Sequence, residues 1–393
     1  MHWQIVNWIA GGILALAWFS RILEAAIGMP RVANIARPEW DRRPATPSGE
    51  PRVSVVVPAR NEEEHIRETL ARLLALDYSN YEIIAVNDRS TDHTGQIMDE
   101  IAASSRAHGL LQAIHISELP AGWLGKTHAM WTAGQQATGD WLLFTDADVL
   151  FKPDSLRRAV AYAEAERAGH VVLFPRMIMK GWGEKMMIAF FQALFVFGHR
   201  PWKVADPKAP DHMGVGAFNL VRRPVYDAAG TYRALRMEVV DDMKLGKVIK
   251  NAGFAQRNVS GDDLISLHWA KGAFGIVDNL TKNFFAVLSF QWPRTVACIV
   301  GLGFLNLGPF LGIWLAHGWA RVPYAIALGS LFAIYCGMSA RSAVPPYYFF
   351  LHPVSTSLFM YTLTRSMFHT LWNGGIVWRG TKYPLEELRK GLV

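Results

Sequence analysis

VSVVVPARNEE, residues 53–63, is the stretch on which the fold turns. Val53, Val55, Val56 and Val57 run without the polar alternation of a half-exposed strand, which is the pattern of a strand buried on both faces of a parallel sheet. Pro58 leads the chain out, and Arg60, Asn61, Glu62 and Glu63 place polar groups at the strand end. Downstream, Ile66, Leu70, Leu73 and Leu74 recur at helical spacing and predict a helix over 62–76. Tyr81–Val86 (YEIIAV) predicts a second strand, 92–103 a helix with Asp92 as N-cap, and 110–116 a third strand. A helix over 128–137 and a fourth strand over 140–145 (DWLLFT) follow. Strands alternating with helices imply an α/β fold with a doubly wound, mostly parallel sheet. Ligands of such sheets bind outside the carboxyl ends of the strands. Chemistry is therefore expected in the loops after Val57, Val86 and Thr145.

Either side of this domain the composition changes. Of the 393 residues, 51% are hydrophobic and only 19% charged, against a usual charged share of about a quarter, and the apolar residues are clustered. Residues 5–20 are apolar, with Trp3 and Trp8 near the start and no small-residue cleavage site, so 1–28 reads as a retained membrane anchor. Residues 29–52 read as a basic, Pro-rich linker against a membrane surface. Positive charge after the first span predicts that residues 53–270 lie in the cytoplasm, at a bacterial inner membrane. Residues 271–294 are aromatic and amphipathic, as in an interfacial helix. Three apolar runs, 295–316, 322–340 and 344–364, form a transmembrane region, and 365–393 is a basic interfacial tail. Three further spans would leave that tail on the outer face. The last run, with Pro345, Pro346, His352 and Pro353, reads equally as re-entrant or interfacial. Cys298 and Cys336 sit in apolar runs with no CxxC pair and read as small core residues. A net charge of +7 suits phosphate-bearing or anionic lipid partners, and no aromatic-basic module points to nucleic acid.

Acidic residues mark the predicted strand ends. Asp146 and Asp148, one residue apart after DWLLFT, form a hard-oxygen site for Mg²⁺ or Mn²⁺ that leaves positions for diphosphate oxygens. Asp88 could accept a base N–H, while Asn61 and Asp92 also suit helix caps. In Gly122-Trp123-Leu124-Gly125-Lys126, glycines allow close approach to a phosphate and Lys126 supplies a point charge. His268 reads either as a third metal ligand or as a structural histidine.

VSVVVPARNEE, then VNDRSTDHT (86–94), then GDWLLFTDAD (139–148) resembles the family-2 glycosyltransferases of the GT-A fold, over roughly 53–292. The resemblance implies that Pro58, Ala59, Arg60, Glu62 and Asp88 contact the uridine half of a UDP-sugar. It implies that Asp146 faces the ribose or the metal, that Asp148 binds the metal, and that Lys126 lies on the donor side. Asn87-Asp88-Arg89 stands where the family usually has Asp-Asp-Gly, so Arg89 departs from the pattern. Asp241-Asp242 before x-x-Leu245-Gly246 matches the family's acidic pair, which makes Asp242 the general base and Asp241 its neighbour. The 212–218 loop would line the acceptor side. Gln291-Trp292-Pro293-Arg294-Thr295 is similar to the (Gln/Arg)-x-x-Arg-Trp motif of ceramide glucosyltransferases and polysaccharide synthases. Either Thr295 replaces the tryptophan or Trp292 is that tryptophan in another register; both place Gln291 and Arg294 near the diphosphate. The stretch 377–384 (VWRGTKYP) resembles a tail of the lipid-glycosylating branch, which includes hopanoid-associated and carotenoid enzymes. The expected function is metal-assisted, inverting transfer of one sugar from a UDP-sugar to a lipid hydroxyl. A processive polysaccharide synthase and a non-catalytic protein with a retired transferase domain are the alternatives.

Overall fold

A computed structural model describes residues 2–44, 46–47, 49–105, 107–340, 342 and 344–393. They form two compact units: an α/β unit of 32–178, 203–268 and 379–393, and a helical unit of 1–31, 179–202 and 269–378.

The two sheets at the heart of the α/β unit are built from β1 (Val53–Ala59), β2 (Tyr81–Asp88), β3 (Leu111–Ile116), β4 (Trp141–Phe144), β5 (Leu150–Phe151), β6 (His170–Leu173), β7 (Arg176–Met177), β8 (Asn219–Arg222), β9 (Gln256–Val259) and β10 (Ile265–Leu267). The main sheet has the order β3-β2-β1-β4-β8-β6-β9. β8 runs antiparallel to both its neighbours and the other pairs are parallel. The mostly parallel, doubly wound sheet expected from the sequence is thus the observed one. All seven residues of β1 are buried, which is why its valines need no polar alternation. β1 and β2 run two residues past their expected ends, because pairing continues through Pro58 with Val86 and Ala59 with Asn87. The strand order reverses between β1 and β4, the switch point at which such sheets bind ligands. The small sheet β5-β10-β7 follows directly on the Asp146–Asp148 loop.

Three expectations are corrected in this unit. The helix expected from Glu62 begins at Ile66, since the N–H groups of Glu62 and Glu63 bond to Thr94 Oγ1 (2.8 Å) and Asp92 Oδ2 (3.2 Å) instead. The stretch after Arg31 is no surface linker: Ile35 donates to the Ser260 carbonyl (2.8 Å), Ser260 to that of Ala33 (2.9 Å), and Ile35 is fully buried. Arg158 reaches the Arg37 carbonyl (3.1 Å) and pairs with Asp41 (2.8 Å); Ala45 and Ser48 of that stretch lie outside the described residues. Residues 379–393 likewise belong to the α/β unit rather than to an interfacial tail.

In the helical unit, the helix His2–Gly28 packs along Val322–Ser339, and Trp292–Leu315 along His352–Trp372. Three of its helical stretches, residues 3–31, 292–315 and 318–339, are long and apolar enough to cross a membrane. Trp314 and Trp319 are 81% exposed, a large apolar surface for contact with lipid. Polar side chains bond across these helices: Trp18 Nε1 to the Leu305 carbonyl (2.9 Å), and Tyr335 Oη, His352 and Asn306 in a buried chain of 2.9 and 3.0 Å links. The last apolar run opens as a 3₁₀ turn over Pro346–Leu351 before His352–Trp372. Cys336 is exposed and Cys298 half-buried, so neither is the core residue expected.

Candidate active site

The loops after β1, β2 and β4 come together as the switch point requires. Those after β1 and β2 are laced by hydrogen bonds: Asn61 N–H to Ser90 Oγ (3.0 Å), Thr91 N–H to Asn61 Oδ1 (2.8 Å), and His93 N–H to Glu63 Oε2 (3.1 Å). Asn61 therefore ties loop to loop rather than capping a helix. Asp92 does serve its helix, accepting the N–H of Thr94 (3.0 Å). Asp88 is buried at the end of β2, and the Arg89 guanidinium grips it with two bonds (2.7 and 3.1 Å), with Arg60 at 3.7 Å. Arg89 has φ +54°, the left-handed region in which the family's glycine is at ease.

Beyond β4, Thr69 Oγ1 bonds to the Ala147 carbonyl (2.7 Å) and Thr145 Oγ1 to that of Ala217 (2.8 Å), fixing both ends of the Asp146–Asp148 turn. Lys126, in the first turn of the helix Gly125–Gln136, pairs with Asp146 (2.8 Å) and lies 3.5 Å from Asp241. Burial opposes its charge, yet Asp146, Asp241 and Asp242 together hold it more firmly protonated than usual. Burial pushes Asp241 up to about 6, with Lys126 pulling it down and Asp242 and Asp146 pushing it up. Asp148 is also pushed up to about 6, by burial first and then by the charges of Asp146 and Glu62.

Asp242 sits in the first turn of the helix Asp241–Asn251. Its Oδ2 accepts the Gly216 N–H (2.8 Å) and its Oδ1 the Met243 N–H (2.7 Å), while burial raises its pKa. The Gly216 carbonyl in turn accepts the Asp146 N–H (3.0 Å). One peptide segment therefore holds both Asp146 and Asp242. A Cβ on Gly216 would lie 2.3 Å from Asp146 Oδ2, one on Gly214 1.8 Å from the Asp242 carbonyl oxygen, so this loop admits no side chain at either place.

The 213–216 loop is held from behind by three buried residues that the sequence did not single out. Gln256 Oε1 accepts the Met213 N–H (2.8 Å), and its Nε2 donates to His170 Nδ1 (2.8 Å) and to the Met213 carbonyl (3.1 Å). His170 Nε2 then donates to Asn219 Oδ1 (3.0 Å), and Asn219 Nδ2 to the Val215 carbonyl (2.8 Å). Burial drives His170 down to about 4, so it is neutral in this network. The sequence signal that could have found it is the polar residue that opens each of the short strands β6, β8 and β9.

The remaining expected residues are placed less directly. Pro58 and Ala59 end β1. His268 directly follows β10. Among the described residues, however, no three His, Cys, Asp or Glu side chains gather as a metal-holding group. The three-residue set of Asp146, Asp148 and His268 is thus not assembled. A hard divalent cation fits what is present, since Mg²⁺ or Mn²⁺ at phosphate sites rests on one or two carboxylates plus phosphate oxygens, and acids outnumber Lys126 here. Gln291 and Arg294 belong to the helical unit, both exposed at the start of Trp292–Leu315, where the Gln291 carbonyl accepts Thr295.

Comparison with known proteins bears on the fold and on the family. Residues 54–243 match the model of glycosyl transferase family 2. Residues 54–243 form the domain that this family describes. The chain is 21% identical over 251 residues, 63% of this chain and 65% of that protein, to 4,4'-diaponeurosporenoate glycosyltransferase of Staphylococcus haemolyticus. It is 32% identical over 114 residues to undecaprenyl-phosphate 4-deoxy-4-formamido-L-arabinose transferase of Pectobacterium carotovorum, covering 28% of this chain and 33% of that one. The matches span less than two thirds of these curated relatives. Among solved structures, a mannosyltransferase from Pyrobaculum calidifontis in complex with GDP-Man and Mn²⁺ shares the fold at a TM-score of 0.55 and 20% identity, over 93% of this chain and 99% of that one.

Proposed function

We propose that this protein is a membrane-bound glycosyltransferase that moves one sugar from a UDP-sugar to the hydroxyl of a membrane lipid, with inversion at the anomeric carbon. The observation that carries the reading is the Gly216 segment, which binds Asp146 through its carbonyl and Asp242 through its N–H. A diphosphate-side acid and a candidate base are thereby held on one backbone element. The lipid oxygen attacks the anomeric carbon, the bond from that carbon to the diphosphate oxygen breaks, and the hydroxyl proton passes to the Asp242 carboxylate. Burial favours this role by raising the basicity of Asp242, while the two backbone N–H groups fix the carboxylate's orientation. Asp148 and Asp146 are the residues to hold Mg²⁺ or Mn²⁺, which would neutralise charge on the departing UDP. Lys126 supplies a second positive charge beside Asp146. Asp88, with Arg89 and Arg60 on it, presents acceptors and donors to the base of the nucleotide. Pro58, Ala59 and Glu62 line the uridine side.

A lipid acceptor is supported by the names of the relatives and by the three apolar helices. The catalytic unit faces the cytoplasm of a bacterial inner membrane in this reading. The test is nucleoside diphosphate release by the membrane-embedded enzyme, with a panel of UDP-sugars and GDP-mannose, Mn²⁺ or Mg²⁺, then EDTA, and the cell's own lipid extract. Metal-dependent release of UDP with one sugar, together with a new mono-glycosylated lipid, is the expected result. Release only from GDP-mannose would overturn the donor assignment. A ladder of products would favour a processive synthase instead.

A further inference from the structure

We propose that the segment Arg379–Tyr383 is part of the nucleotide site: Arg379 and Tyr383 are positioning residues that hold the loops after β1 and β2 in the shape that receives a nucleoside diphosphate. The inference rests on the glycosyltransferase reading above. The segment belongs to the α/β unit although it lies more than a hundred residues beyond β10, and Thr381–Pro384, which overlaps it, is itself a strand. Arg379 Nη1 donates to the carbonyls of Arg60 and of Asn61 (3.1 Å), and its Nη2 to the Glu62 carboxylate. One guanidinium therefore engages three consecutive residues of the loop after β1. Tyr383 is 5% exposed. Its hydroxyl accepts the N–H of Gly125 (3.2 Å), the residue before Lys126. Gly125 itself has no room for a side chain, because a Cβ would lie 2.1 Å from Asp88 Oδ2 and 2.7 Å from Arg89 Nη2.

Backbone strain marks the same residues. Asn61, Arg89 and Arg379 have φ of +53°, +54° and +49°, a region that L residues other than glycine rarely adopt. Such conformations persist only where surrounding contacts over-determine them. Arg379 bonds to the strained Asn61, and Tyr383 bonds to Gly125, which packs against the strained Arg89. Charge supplies a second reason. Glu62 faces Asp148, where a diphosphate brings more negative charge, and Arg379 is the cation paired with Glu62. Removing that cation leaves an uncompensated carboxylate beside an anionic ligand. This assigns a part to residues 379–383 of the stretch VWRGTKYP, which neither catalysis nor membrane anchoring accounts for.

The experiment is calorimetric titration of the full-length protein in detergent with UDP and with GDP, each with Mn²⁺, alongside thermal unfolding without nucleotide. For Arg379→Gln, nucleoside diphosphate affinity is expected to fall about tenfold or more, the scale of a charge-assisted contact. Arg379→Lys should recover part of it, and Tyr383→Phe, which loses one hydroxyl, should show a smaller loss. Thermal midpoints without nucleotide should match the wild type, and in turnover the donor KM should rise while kcat holds. If the wild type binds UDP or GDP and the variants bind equally well, the inference is overturned. It is also overturned if affinity falls only in step with a lowered midpoint. Failure of the wild type to bind either nucleotide would instead sink the glycosyltransferase reading on which it rests.

Discussion

Gly216 and Asp242 concentrate the chemistry into a few atoms. If Asp242 takes the proton, Asp242→Asn should cost about 10²–10⁴-fold in transfer. It should leave nucleotide affinity intact, because the amide is isosteric and keeps an oxygen for the Gly216 N–H. Single-turnover transfer measured beside nucleotide titration separates the two, and near wild-type transfer would remove Asp242 from the base's role. Gly216→Ala makes a different statement. Its Cβ would meet Asp146 Oδ2 at 2.3 Å, so Asp146 must swing or the loop must shift, at a cost of about 1–3 kcal/mol for an overpacked site. Activity should fall by more than stability explains, since both acids hang on this residue. Equal kcat in Gly216→Ala and wild type would show the contact to be idle. Arg89 illustrates the limit of reading residues singly: its departure from the family's glycine was visible, but its grip on Asp88 was not.

Among the elements, β6, β8 and β9 each contribute one buried polar side chain that together fix the 213–216 loop from behind. His170, lowered from 6.5 to about 4, makes this network sensitive to pH. A depressed histidine binds fewer protons folded than unfolded, so its stabilising effect is complete above pH 6.5 and is lost as pH falls towards 4. The shift corresponds to about 3 kcal/mol across that window. Asp148 and Asp241, raised to about 6, act in the opposite sense, because folding favours their protonated forms as pH falls below 6. The difference between proteins isolates the histidine. Thermal midpoints measured from pH 7 to 4.5 should fall more steeply in the wild type than in His170→Gln, which has no titrating ring. Parallel slopes would mean that His170 is not the responsive group.

For the whole molecule, the decisive point is that residues 379–393 and the catalytic loops belong to one compact unit. If the apolar helices cross a membrane, both must lie on the same side of it, and the chain between 269 and 378 then crosses an even number of times. Two of the three apolar stretches, residues 292–315 and 318–339, fall in this interval. They satisfy the requirement, and the basic tail then lies on the same face as the α/β unit, in keeping with the positive-inside tendency. With Cys298 and Cys336 replaced by Ala, a membrane-impermeant maleimide should label Ser117→Cys and Lys382→Cys from one face of a sealed vesicle. It should label His317→Cys, between the two spans, only from the other. Labelling of all three from one face would refute the two-span arrangement.

Much of this was present in the sequence. Local signals suffice for a buried valine strand, for helical spacing, and for polar residues clustered at strand ends, because each depends on neighbours within a turn or a strand. They yielded the doubly wound sheet, the candidate acids Asp88, Asp146 and Asp148 at strand ends, and the apolar helices, with boundaries off by two to four residues where loop hydrogen bonds competed with helix starts; Asp241 and Asp242 were singled out by the family resemblance instead. What the tertiary structure alone decided depends on contacts between residues distant in sequence. Lys126 meets Asp146 and Asp241, Gly216 joins Asp146 to Asp242, His170 and Gln256 support that loop from 40 residues and more away, and the segment after Arg31 docks beside Ser260. No periodicity encodes such pairings. They arise because folding of the sheet brings the strand ends together, and buried polar groups must then find partners there.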